Sequence, residues 1–114
     1  MRLARLPAVA ATICAASVAL GAYASHVALA QDQKRLALAA LFAFAHGLAL
    51  IVLSSRDSRL AGIGRLVLLA GVVLFSGSLA SAGLFSTSTA AAPLGGSLLI
   101  LGWLLVASDY WRKP

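Results

Sequence analysis

Four antiparallel transmembrane helices, an all-α membrane protein, are what this sequence predicts, on three grounds. Of its 114 residues 61% are hydrophobic and 11% charged, a balance foreign to soluble domains. The charges gather at the edges of long apolar runs. Those runs also have the lengths that bilayer crossings need, about 20 residues at 1.5 Å each.

The first run, Leu6 to Gln31, holds 26 uncharged residues and gives a span near 6–27. Its small stripe of Ala10, Cys14, Ser17 and Gly21 favours close contact with a neighbouring helix. After "DQKR", the 20 uncharged residues from Leu36 to Ser55 give a second span near 35–54. After "RDSR", the run from Leu66 to Ser108 holds 43, too many for one crossing. It divides at "STSTAAAP", where hydroxyl residues cluster and Pro93 can open the next helix. Spans near 64–85 and 91–109 follow, and the short connections favour an antiparallel bundle forming one integral domain over 1–114.

A secretory signal is the rival reading of the first span, because Ala28-Leu29-Ala30 before Gln31 is an acceptable cleavage site. The apolar run exceeds the roughly 7–15 residues of a signal core, so an uncleaved span is expected. Orientation follows from Lys and Arg. Arg2, Arg5, Arg56, Arg59, Arg65, Arg112 and Lys113 fall on one side, Lys34 and Arg35 on the other. The positive-inside rule then puts both termini in the cytoplasm, with Tyr110 and Trp111 as an interfacial anchor.

The net charge of +6 is scattered singly or in pairs as membrane flanks, so the expected partner is the lipid bilayer and not nucleic acid. A lone Cys14 builds neither a disulfide framework nor a zinc site. No cofactor or metal is expected, and no residue is assigned as catalytic: the serines and histidines have no orienting acid beside them and no long loop.

Polar residues at membrane depth carry the remaining information. No charged residue falls well inside a predicted span, which weakens proton-pump and ion-coupled readings. His26 sits near the outer end of the first span. His46 lies about ten residues into the second, roughly 15 Å deep by helical rise, on a face shared with Ala39 and Ala43 that is expected to point inward. A neutral imidazole bonded to a neighbouring helix is the leading reading, and a ligand- or proton-handling group the alternative.

In "LFSGSLASAGLF", Ser76 and Ser78 lie about 200° apart around the helix and cannot both face one partner. Small residues fall on two sides, with Gly71, Ser78 and Ala82 on one and Ser76, Ala80 and Gly83 on the other. That predicts a helix packed on both sides, its hydroxyls bonding back to carbonyls four residues earlier. Gly71, Gly77, Gly83, Gly95, Gly96 and Gly102, with Ser17 and Gly21, are the expected packing positions. By depth, His46, Ser76 and Ser78 could instead line a wet pocket between the second and third helices.

Five pieces stand out: "FSGSL" from Phe75 to Leu79, "PLGG" from Pro93, "GW" at Gly102-Trp103, "GAYASHVAL" at the end of the first span and "AHGLAL" in the second. Together they resemble the YgdD-like family of small bacterial inner-membrane proteins, a domain-of-unknown-function family with relatives among small eukaryotic transmembrane proteins. The chain departs from the family pattern at Ser25, at Ala45 and in a short segment between the first two spans. The resemblance implies four spans and an uncleaved N-terminus, and no mechanism.

A structural or interaction bundle, self-associating as a homo-oligomer or joined to a larger membrane complex, is the expected function. A carrier or channel for a small neutral or weakly charged molecule, using the His46, Ser76 and Ser78 region, is the alternative.

Overall fold

The structure, a computed structural model, describes residues 3–114; Arg2, counted above among the basic flanks, lies outside them. Four helices follow in chain order, α1 (Leu6–His26), α2 (Ala30–Leu53), α3 (Arg59–Phe85) and α4 (Ala92–Arg112), with no strand among the described residues. All four are long and apolar enough to cross a membrane. Helices satisfy their own backbone polar groups, which hydrocarbon cannot do, and the chain is a multi-pass membrane protein.

Local chemistry explains where each helix starts and stops. Pro7 stands in the first turn of α1, where its missing N–H leaves nothing unpaired. Helix α2 starts at Ala30 and not at 35, and α3 at Arg59 and not at 64. Charge marks where an apolar run begins, whereas hydrogen bonding begins where a helix end is satisfied. Asp32 lies in the first turn of α2, at the positive end of the helix dipole. Ser58 caps α3, its Oγ accepting from the Ala61 N–H at 3.0 Å. The break inside the long apolar run falls after Phe85: Ser86 adopts φ 58°, a left-handed cap, and its N–H donates to the Ala82 carbonyl at 3.0 Å. Helix α4 then runs to Arg112 instead of 109, with that cation in its last turn, where the dipole favours it.

Each helix packs against its neighbours in the chain: α1 on α2, α2 on α3, α3 on α4. Among the described residues α1 and α4 do not pack on each other, so α2 and α3 form the centre of the array. The core runs along it through Ala10, Leu50, Leu68, Val72 and Leu99. Large apolar side chains such as Val18, Leu41, Val52, Ile100 and Leu104 point outward, the arrangement that a hydrocarbon solvent favours.

The α3–α4 seam is the tightest contact. A Cβ placed on Gly95 would overlap the backbone nitrogen of Phe75, and one on Gly71 would come within 2.9 Å of the Leu99 nitrogen. On Gly102 it would meet Leu68 Cδ2 at 2.7 Å, and on Gly64 Val106 Cγ2 at 3.1 Å. Gly96 is less constrained, with 3.7 Å to the Phe75 ring. On its other side α3 meets α2, where a Cβ on Gly83 would lie 2.5 Å from Leu36 Cδ2. Helix α1 rests on α2 through Ala10, Cys14 and Gly47, with 2.7 Å from a Gly47 Cβ to the Cys14 Sγ. Further along, Gly21 makes only an ordinary 3.8 Å approach to Ala40, and the buried Ser17 hydroxyl donates to the Cys14 carbonyl at 2.7 Å.

Gly77 departs from the expected pattern. A Cβ there meets no heavy atom within 4 Å, because the residue lies between the α4-facing and α2-facing stripes of α3, beside an open cavity. Gly77→Leu is therefore expected to leave the detergent melting temperature unchanged, in contrast to large residues at Gly83. A thermal melt followed by circular dichroism measures it.

Candidate functional site

The polar groups fall into two places, one near mid-depth and one at the basic end. At mid-depth, the inward face of α2 brings His46 to α4. His46 is buried, with 8% of its surface exposed. Its Nδ1 lies 2.8 Å from the Phe42 carbonyl, and its Nε2 lies 3.0 Å from Trp103 Nε1. A carbonyl only accepts and an indole N–H only donates, so Nδ1 carries the proton and Nε2 is bare. The ring is thus a neutral imidazole with both nitrogens engaged. Around it, Phe42 stacks on His46 with centroids 5.7 Å apart, Phe75 approaches Phe42 at 4.7 Å and Trp103 lies 5.9 Å away. Three helices meet in this cluster.

The proposed His46, Ser76 and Ser78 pocket does not form. His46 lines a cavity between α2 and α4 together with Phe42, Phe75 and Trp103. Ser76 lines a separate cavity of about 260 Å³ with Ile13, Ser17, Ala43 and Gly77. The helical turn explains the separation, since Phe75 and Ser76 point about 100° apart and Phe75 takes the side facing His46. Both serine hydroxyls are buried without a hydrogen-bond partner, and neither bonds back to the carbonyl four residues earlier. Ser25, Ser97 and Ser108 do make that bond, at 2.9, 2.9 and 2.8 Å. His26, the second candidate, is the exposed last residue of α1.

Trp103, part of the Gly102-Trp103 motif, carries an indole N–H that needs an acceptor at membrane depth, and His46 Nε2 is that acceptor. His46→Leu leaves that donor unsatisfied and is expected to cost about 1–2 kcal/mol. Adding Trp103→Phe removes both partners, so the double variant is expected to lose less than the sum of the singles. Melting temperatures of the four proteins in one detergent test this.

At the basic end, the α2–α3 connection meets the last turn of α4. Asp109, 3% exposed, accepts from Arg56 Nε at 2.6 Å and from the Ser58 hydroxyl. Arg56 also donates from Nη2 to the Lys113 carbonyl at 2.7 Å, and its guanidinium lies 3.7 Å over the Tyr110 ring. The hydrogen bond to Asp109 raises the pKa of the Arg56 guanidinium above its ordinary value. Arg65, buried one turn and a half into α3, donates from Nη1 to the carbonyls of Leu53 at 2.8 Å and Arg56 at 2.6 Å. Those carbonyls lie at and beyond the end of α2, which the helix itself cannot satisfy. Arg56 and Arg65, membrane flanks by their charge, are thus bonded within the fold, and Asp109, one of the three acids in the chain, stands beside basic neighbours.

The motif residues converge on the same seam. Phe75 touches both Gly95 and Gly96, Pro93 opens α4, and Trp103 follows Gly102 into the His46 contact; Leu79 lies half-buried one turn along α3 from Phe75. No curated protein and no solved structure matches the chain. A family match does exist over residues 20–96, to the family described as "Protein of unknown function (DUF423)". It takes in the C-terminal end of α1, all of α2 and α3, and the Pro93–Gly96 opening of α4. With that match covering well over half of the chain, His46, Phe75, Gly71 and Gly95 among it, the chain belongs to DUF423, in keeping with its YgdD-like motifs.

Proposed function

We propose that this protein is a compact helical partner in a bacterial inner membrane, working by association with other membrane proteins or with itself and not by transport or catalysis. The carrying observation is the saturation of His46. The buried imidazole engages both ring nitrogens, Nδ1 with the Phe42 carbonyl of its own helix and Nε2 with Trp103 of α4, so neither is left to bind a solute in the cavity that the ring lines. At the basic end Arg56, Ser58, Arg65 and Asp109 join the α2–α3 connection and α4 to one another, which again is the chemistry of holding helices together. Both termini face the cytoplasm in this reading, with the basic end inside.

Extraction from native membranes in a mild detergent, followed by size-exclusion and mass spectrometry, tests the association. A species larger than the micelle-bound monomer, containing stoichiometric partner or further copies, is expected. A monomer that carries solute across proteoliposomes would overturn the proposal. Reporter fusions after Lys113 and within 56–59 are expected to read cytoplasmic, and one within 86–89 outside. An N-terminus beginning at Gln31 would instead show a cleaved signal.

A further inference from the structure

Helices α2 and α4 each pack on α3 without packing backbone to backbone on one another, and side chains of both line a lateral groove in the gap between them. One part, about 540 Å³, runs past Ala49, Val52, Ala107 and Tyr110; the other, about 740 Å³, runs past Phe42, Phe75 and Ile100. Trp103 and Ala107 line both, so the two are continuous. The Trp103–His46 hydrogen bond crosses between the helices within it. Alanines keep it wide, and its walls are almost wholly apolar. At the Tyr110 end it adjoins a polar hollow lined by Ser55, Arg56 and Lys113, along with Asp57 and the paired Asp109.

We propose that this groove binds one acyl chain of an anionic phospholipid, with the phosphate at the Arg56 and Lys113 end. Length fits this occupant. From Tyr110 to Ile100 along α4 is about 15 Å at 1.5 Å per residue, half of the roughly 30 Å hydrocarbon core and so the depth of one leaflet. Charge fits as well. Among the described residues this end carries Arg5, Arg56, Arg59, Arg65, Arg112 and Lys113 against Asp57 and Asp109. Basic clusters at a membrane edge select anionic headgroups. A second helix does not suit the groove, because the exposed indole of Trp103 stands in it, 42% accessible, and would hold a helical backbone away.

Trp103 is also the probe. Trp111 is the other tryptophan, 91% exposed beyond the seam, and Trp111→Phe isolates Trp103 emission. That protein is reconstituted in phosphatidylcholine vesicles containing a minor fraction of phosphatidylglycerol, with bromine on the acyl chains of one lipid or the other. Bromine quenches an indole on contact. Brominated phosphatidylglycerol is expected to quench as if enriched about fivefold over its mole fraction, the selectivity of roughly one basic contact. Ala107→Leu, which fills the groove, and Lys113→Gln, which weakens the head contact, are each expected to move that enrichment toward unity. Quenching proportional to mole fraction for both lipids in the starting protein overturns the proposal, as does an enrichment that survives both substitutions. Neither failure touches the proposed association, which is read from copurification.

Discussion

Gly95→Leu is expected to abolish accumulation of the folded protein. Even the first carbon of the new side chain would overlap the Phe75 nitrogen, and it would lie 2.8 Å from both the Gly71 carbonyl oxygen and the Phe75 Cα. These are backbone atoms of a helix and cannot rotate away. Ordinary overpacking costs about 1–3 kcal/mol because side chains shift; here α3 and α4 must separate along their length, and a cost above about 3 kcal/mol is expected. Separation would also pull Trp103 from His46 and Phe75 from its aromatic partners. Gly95→Ala is expected to give a milder form of the same defect, visible as a lower melting temperature. Membrane-fraction yield and detergent melts of the two variants, beside Gly77→Leu, measure the effect. Wild-type behaviour of Gly95→Leu would mean that α4 does not sit this close to α3.

Asp109→Ala is expected to be the next most damaging change, at about 2–3 kcal/mol, the worth of hydrogen bonds to a charged group. The carboxylate receives Arg56 and the Ser58 hydroxyl while Ser58 accepts from the Ala61 N–H. One substitution therefore loosens the cap of α3, the α2–α3 connection and the last turn of α4 together. Arg112→Gln removes a charge from the same turn but no contact in this network, and is expected to be nearly neutral, as exposed charges usually are. A fall in melting temperature for Asp109→Ala with Arg112→Gln unchanged checks the assignment. Equal effects would reduce the network to bulk charge.

The helix count and the break before Pro93 were legible because both rest on short-range chemistry: apolar run length, hydroxyl clusters and proline geometry. The starts of α2 and α3 were not, since Asp32 and Ser58 act on helix ends while the eye reads them as loop charge and loop polarity. The two-sided packing of α3 could be read from the spacing of Gly71 and Gly83, because helical angle is fixed by sequence separation. The state of Gly77 could not, as nothing local says that a given small residue faces a gap. The pairing of His46 with Trp103, and of Arg56 with Asp109, links positions 57 and 53 residues apart. Depth along the membrane could place each partner at the right level. Only the order of the helices around α3 decides which side chains at that level meet.

That order has a consequence for synthesis. Since each helix docks on the one made just before it, the chain can assemble as it emerges, one hairpin at a time, without holding an early segment open for a late one. Topologies dominated by such local contacts search little and fold fast. The final helix then carries the two long-range fastenings, Trp103 and Asp109, and the glycine-walled seam. A nascent chain stopped before Ala92 would be inserted yet unlatched, with His46 lacking its indole partner and Arg56 lacking its carboxylate. Arrival of α4 is the event that latches the inserted hairpins to one another.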